Sequence, residues 1–359
     1  MMKKSLSWIL ALLLLLSLLG GCAKNQPAAQ DGITVVDCVG RTVTVPADPQ
    51  SICDLCPFSG PMLVMFGCGE RVTTSCNNAV RSRLLSEICP SMENAVVVKN
   101  SGAINAEEIL AKNTDLILTN KGVYDAAAER EKLDAMGIPY VVIDFETIDE
   151  QFAAVRVLGE TLQQSEKAEQ YISWFRSVLD RADAAAAGAP APARLYHSVN
   201  EAVRTDYKGS YCAEWIAHTG AVNVALESGT LNMEGGKAYT TLEQIYAWDP
   251  EIIICNEAQV DDYILSDEKW VGLSAVQSGR VYQIPIGITR WGHPTSFETP
   301  LALLWLMRLL YPDTFDVDLD AEIRAFYQTF FDYTLSDDWL AAIKDGSEMR
   351  TPKTEQKGE

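Results

Sequence analysis

Apolar residues along the chain follow two rhythms. Short continuous runs bounded by breakers occupy residues 95–98, 116–118, 140–143, 252–254 and 281–284, and such runs predict strands buried on both faces. Between them, residues 106–111, 124–136 and 213–219 show helical spacing, so the alternation predicts parallel sheets covered by helices. Two β-type runs at 33–36 and 41–45 flank Cys38-Val39-Gly40 and predict a hairpin. Residues 149–187 hold no strand run. There Ala168, Tyr171, Ile172, Phe175, Val178, Leu179 and Ala182 recur on one face, with Glu166, Lys167, Glu169, Gln170 and Arg176 on the others. This predicts one long amphipathic helix, closed by Gly188, Pro190 and Pro192. The expected fold class is α/β. A first lobe spans 33–148, a linking helix 149–189, a second lobe with terminal helices 190–345, and a polar tail 346–359.

The start of the chain reads as an address. Lys3 and Lys4 precede an apolar run over 8–19, interrupted at Ser17; this is shorter than the roughly 20 residues of a spanning helix and has the layout of a signal peptide over 1–21. It ends in Leu19-Gly20-Gly21-Cys22, which resembles the lipobox of bacterial lipoproteins. That resemblance implies a diacylated Cys22 as the mature N-terminus, with 22–32 as a lipidated tether. Two acyl chains give the stable anchoring that one does not.

Residues 105–118 align without gaps on residues 241–254. Glu107 matches Glu243, Ile109 matches Ile245, Ala111 matches Ala247, and Asp115 or Glu251 precedes an aliphatic strand. Each copy predicts a short helix, a turn and a buried strand. Read alone, Glu107 and Glu243 are first-turn carboxylates favoured by the helix dipole.

The two copies resemble the helix-strand element of ABC-transporter solute-binding proteins for iron-siderophore, haem and cobalamin. Thr241-Leu242-Glu243-Gln244-Ile245 through Pro250-Glu251 is close to that family, and the first copy departs from it at Thr114, where proline is usual. Three further stretches are similar: Gly40-Arg41-Thr42-Val43-Thr44-Val45-Pro46; Gly209-Ser210 with Glu214-Trp215-Ile216, Gly220 and Asn223-Val224-Ala225; and Trp291, Pro294, Glu298, Leu304-Trp305 and Tyr311-Pro312. The resemblance implies two Rossmann-like lobes joined by one long rigid α-helix, with a ligand cleft between them and limited hinge motion. It implies a monomer that performs no chemistry, carries no cofactor, and delivers a ferric chelate, haem or corrinoid to an ABC permease dimer with its ATPase. Glu107 and Glu243, one per lobe, would dock onto permease arginines.

The ligand is expected at the carboxyl ends of the strands. Candidates there are Arg290, Trp291 and His293; Tyr207 and Lys208; Tyr239; Phe58; and Arg81 with Arg83. Arginine suits an anionic chelate, aromatics a flat ligand, and tyrosine can ligate haem iron. Each has a plainer alternative: Trp291 as packing, Arg81 and Arg83 as a solvated helix face, His293 as a loop residue, and His197 and His218 as structural or exposed.

Composition narrows the field. The 359 residues carry a formal charge of −20, which argues against a basic groove for nucleic acid. Three histidines in all, His197, His218 and His293, argue against a poly-His metal site. Of nine cysteines, Cys22 is the lipid acceptor; the other eight are expected to be mostly thiols, since a domain this large needs no staples. Cys53-x-x-Cys56 lacks a second pair, and no nucleophile elbow, zincin pair or phosphate loop is present. Two other readings stay open: a receptor for another metal complex or anion, and an extracytoplasmic cysteine-dependent hydrolase using a cleft thiol with His293.

Overall fold

The computed structural model describes residues 32–99, 103–189, 191–227, 231–346 and 349–350. The signal segment, Cys22 and the tether lie outside the described residues. Strands β1 (Gly32–Val36) and β2 (Thr42–Pro46) form the expected antiparallel hairpin. Asp37 holds its turn by accepting from the Val39 and Arg41 amides and the Arg41 guanidinium. The same carboxylate accepts from Val142 N, and Arg41 lies 4.1 Å over the Tyr140 ring, which fastens the hairpin to the first sheet.

That sheet is wholly parallel. It comprises β3 (Ile52–Asp54), β4 (Val72–Cys76), β5 (Val96–Lys99), β6 (Leu116–Asn120) and β7 (Tyr140–Ile143), in the order β5-β4-β3-β6-β7. The second lobe uses β8 (Arg194–Ser198), β9 (Arg204–Thr205), β10 (Val222–Asn223), β11 (Asn232–Glu234), β12 (Lys237–Tyr239), β13 (Ile252–Cys255) and β14 (Val281–Gln283). Strands β10-β8-β13-β14 form a second parallel sheet, and β11-β12-β9 a small antiparallel ribbon. All four residues of β7 and of β13 are buried, as helices on both faces require.

The expected long helix is present as Ser165–Ala187, shorter than 149–189 because a separate helix, Ile148–Thr161, precedes it. Gln163 separates the two at φ +54°, in the left-handed region. Each part buries a different face. The first starts at a Thr147–Glu150 capping box and buries Phe152, Val155 and Leu158. The second buries the seven residues of the predicted stripe, and its Tyr171 hydroxyl donates to Phe297 O just ahead of the helix Thr299–Leu310. One apolar cluster runs from Val35 through Phe175 to Ile343 and so joins both lobes. The helical pattern over 124–136 is likewise divided, into Lys121–Asp125 and Ala127–Met136. The polar tail begins later than expected: Met349 is buried, Arg83 N donates to its carbonyl, and Arg350 bridges to Ser82, so the chain returns to the first lobe. No disulfide joins the eight described cysteines, and no described helix is long and apolar enough to cross a membrane.

Asp54, at the end of β3, is fully enclosed and accepts from Cys56 N and the hydroxyls of Ser59 and Ser75. Burial pushes its carboxyl up to about 7, against the lowering effect of those donors. A carboxyl raised in the folded state contributes its full stability below its unfolded pKa and loses it as pH rises through the folded one. The protein should therefore lose roughly 4 kcal/mol between about pH 4 and pH 7 relative to Asp54→Asn. Urea melts of both proteins across that window measure the difference; a constant difference would contradict it.

Candidate ligand cleft and docking surface

The loops that could hold a ligand leave the carboxyl ends of the strands. After β14 the chain forms a tight loop in which Ile286 bridges Arg290, Gly287 N donates to Thr289 O, and Trp291 N donates to Pro285 O. Buried Glu298 anchors it from beneath, accepting from Ile288 N (3.2 Å), Thr289 N (2.5 Å), Thr289 Oγ1 (2.6 Å) and the Tyr327 hydroxyl. Burial raises the Glu298 carboxyl, and these donors oppose the shift. The anchored loop presents Arg290, which donates to Asn200 Oδ1 at 2.9 Å and pairs with Glu257.

Arg290 is one of several cations at this place. Burial lowers its pKa, and Arg204 and Arg81 lower it further while Glu257 opposes them. Arg350 falls to about 10 through burial and then the fields of Arg290 and Arg81. His293 is pushed well below its ordinary value by burial, Arg290, Arg204 and Arg350, so it is neutral. Arg204 forms no ion pair among the described residues. It lines a cavity of about 340 Å³ together with Phe145, Tyr207, Tyr211, Lys237 and His293, which draws its wall from both lobes. A narrower recess beside it is lined by Ser82, Arg290, His293 and Arg350.

The sequence candidates divide on this geometry. Arg290, Tyr207 and His293 reach the cleft, and Arg81 acts electrostatically on Arg290 and Arg350. Trp291 does not: it is fully enclosed, so the packing alternative holds for it. Phe58 is also a core residue, 1% exposed, with its ring edge-on to Phe145 at 4.8 Å; Phe145 faces the cavity in its stead. Lys208 is exposed and outside the cavity wall, and the Tyr239 hydroxyl is directed to Glu201 at 3.3 Å. The hidden parts of the site are Arg204, Arg350 and a buried group of His197, Asp206 and Cys212. His197 is wholly enclosed, which removes the exposed alternative for it.

Glu107 and Glu243 occupy equivalent places. Each is exposed in the first turn of a short helix, Ala106–Ala111 and Leu242–Trp248, behind the side-chain caps Asn105 and Thr241. Each helix runs back to start a parallel strand, β6 or β13, so both glutamates lie at the sheet edge from which the cleft loops rise. One helical turn on, the matching positions Leu110 and Tyr246 are exposed, at 49% and 38%.

Two α/β lobes that wall one cavity between them are the architecture of a solute-binding protein. The family model described as Periplasmic binding protein matches residues 71–286, and the chain belongs to that family. It is a binding protein and not an enzyme. Among curated relatives, the molybdate-binding protein MolA of Haemophilus influenzae is 26% identical over 270 residues, covering 68% of this chain and 74% of MolA. The uncharacterized ABC transporter substrate-binding lipoprotein YvrC of Bacillus subtilis is 24% identical over 330 residues, covering 88% and 99%. A periplasmic solute binding protein from Veillonella parvula superposes with a TM-score of 0.75 at 26% identity, covering 88% of this chain and 97% of that one. Molybdate-bound MolA shares the fold at a TM-score of 0.71 and 20% identity, covering 85% and 99%.

Proposed function

We propose that this protein is the substrate-binding component of an ABC importer, lipid-anchored through Cys22, that captures a compact anion between its lobes. The observation that carries the reading is Arg204, which lines the cavity with Lys237 and neutral His293 and forms no ion pair among the described residues, in a chain whose net charge is −20. A partly buried cation without a carboxylate partner is costly unless a ligand of opposite sign completes it. A cavity of about 340 Å³ stands at the small end of ligand pockets, so it favours an oxyanion or a small anionic metal chelate over haem or a corrinoid. The molybdate named for the relative MolA is of the same chemical kind.

Calorimetric titration with molybdate, a ferric catecholate, haem and cyanocobalamin tests this. An anion should bind and cyanocobalamin should not. Arg204→Ala should weaken the anion about tenfold or more, from the roughly 1.5–3 kcal/mol net value of a charged hydrogen bond. Tight cyanocobalamin binding that is indifferent to Arg204→Ala would overturn the reading.

A further inference from the structure

At the back wall of the cleft, three side chains of metal-ligating type meet with no part in the anion reading. His197 lies in the buried run of β8, Asp206 follows β9, and Cys212 lies in the first turn of the helix Tyr211–Ala217. One donor atom from each lies within 4.8 Å of the other two, and all three residues are buried. We propose that His197, Asp206 and Cys212 form a capture site for a divalent, borderline-soft cation of the zinc, cobalt or nickel type.

Four observations lead there. The donor set is one imidazole, one carboxylate and one thiol, which suits such ions and is foreign to the all-oxygen sites of calcium and magnesium. The surroundings hold the donors in place: Asn223 Nδ2 donates to Asp206 Oδ2 at 2.7 Å, and His197 Nδ1 lies 3.0 Å from the same oxygen. The Asn223 contact is of the outer kind that orients a metal ligand, whereas the His197–Asp206 contact lies between two of the proposed ligands. His197 Nε2 is buried without a hydrogen-bond partner, so protein contacts alone leave the imidazole unsatisfied. The cysteine can also be released. Cys212 Sγ donates to Gly292 O at 3.2 Å, but Trp215 Nε1 donates to that carbonyl too, at 2.9 Å, so it stays satisfied when the thiol turns to an ion. This convergence requires glycine at 292, where φ is +69° and a Cβ would meet the Trp215 ring at 2.6 Å.

The charges balance. The Cys212 thiol loses its proton to solvent as the sulfur–metal bond forms, and thiolate and carboxylate together neutralise a divalent ion. Asp206 and Cys212 line the 340 Å³ cavity, which supplies an entry path. Three protein donors leave one position of a tetrahedral ion open. The cavity that Asp206 and Cys212 line is shared with Arg204 and His293, so an anionic fourth donor would have room there. In a solute-binding protein the ion is cargo or the metal of the cargo, not a resident cofactor.

The site shares the cavity of the proposed anion, since Asp206 and Cys212 line it, and it is tested by metal alone. The full chain is titrated with Co²⁺. The expected result is one equivalent bound, with a thiolate-to-cobalt charge-transfer band in the near ultraviolet that Zn²⁺ abolishes. Cys212→Ser should remove the band, and His197→Gln should weaken Zn²⁺ at least about tenfold. Cys255→Ser, which removes a buried thiol outside the group, should keep the band. Because His197 is buried and its variant is at risk of misfolding, X-ray absorption of the Zn²⁺-loaded unmodified protein gives a second reading, with one sulfur in a shell of lighter donors expected. Absence of the charge-transfer band, its survival in Cys212→Ser, or a shell without sulfur would each overturn the proposal.

Discussion

Replacing Glu107 and Glu243 together by arginine should abolish uptake while leaving ligand affinity in the isolated protein unchanged. Both carboxylates are exposed, so neither supports the core, and neither lines the cleft. They occupy the same position in two copies of one element, which suits a partner presenting two equivalent cationic sites. Leu110 and Tyr246 then place an exposed apolar side chain beside each glutamate. Such an arrangement would suit a docking contact, with charge setting orientation and an apolar neighbour shielding it from water. Carboxylate–guanidinium pairs can be bidentate, so reversal replaces attraction by repulsion at both ends. A single reversal should leave a fraction of transport and the double variant none. Uptake by cells carrying each variant, beside calorimetry on the purified proteins, separates docking from binding. Wild-type uptake by the double variant would place the docking surface elsewhere.

Much of the architecture is legible in the chain because burial imposes its own pattern. Strands β7 and β13 are enclosed on both faces and read as unbroken aliphatic runs, and the stripe from Ala168 to Ala182 predicts the buried face of its helix residue by residue. The break at Gln163 is hidden because no glycine or proline marks it; a glutamine takes the left-handed conformation there. The ribbon β11-β12-β9 is hidden because its strands are only two or three residues long, too short to show a period. At the site, an aromatic beside an arginine reads alike whether its ring lines a cavity or fills a core, and Trp291 fills the core. Arg204 and Arg350 are far apart in sequence and both act on His293, Arg350 because the end of the chain crosses back to Ser82. Proximity made by topology leaves no periodic trace. The paired glutamates do leave one, because the repeat that carries them is local.

Glu298→Ala should cost about 3 kcal/mol or more of stability and should also weaken the anion, although Glu298 lines neither the cavity nor the recess. Its carboxyl is buried and receives two backbone amides, one threonine hydroxyl and the Tyr327 hydroxyl. Thr289 Oγ1 keeps a partner in Ser296 Oγ at 2.8 Å, but the amides of Ile288 and Thr289 and the Tyr327 hydroxyl would be left unpaired in the core. Each orphaned buried donor costs roughly 1–3 kcal/mol, partly offset by relieving the burial of the carboxyl itself. The freed segment is the loop that presents Arg290, so the loss of stability should be accompanied by a loss of affinity. Glu298→Gln keeps one acceptor and should recover part of both. Urea unfolding and anion titration of the two variants supply the comparison. A stable Glu298→Ala protein with weakened binding would mean that the carboxyl only positions the loop. An unstable one that binds normally would show that Arg290 is held by Asn200 and Glu257 alone.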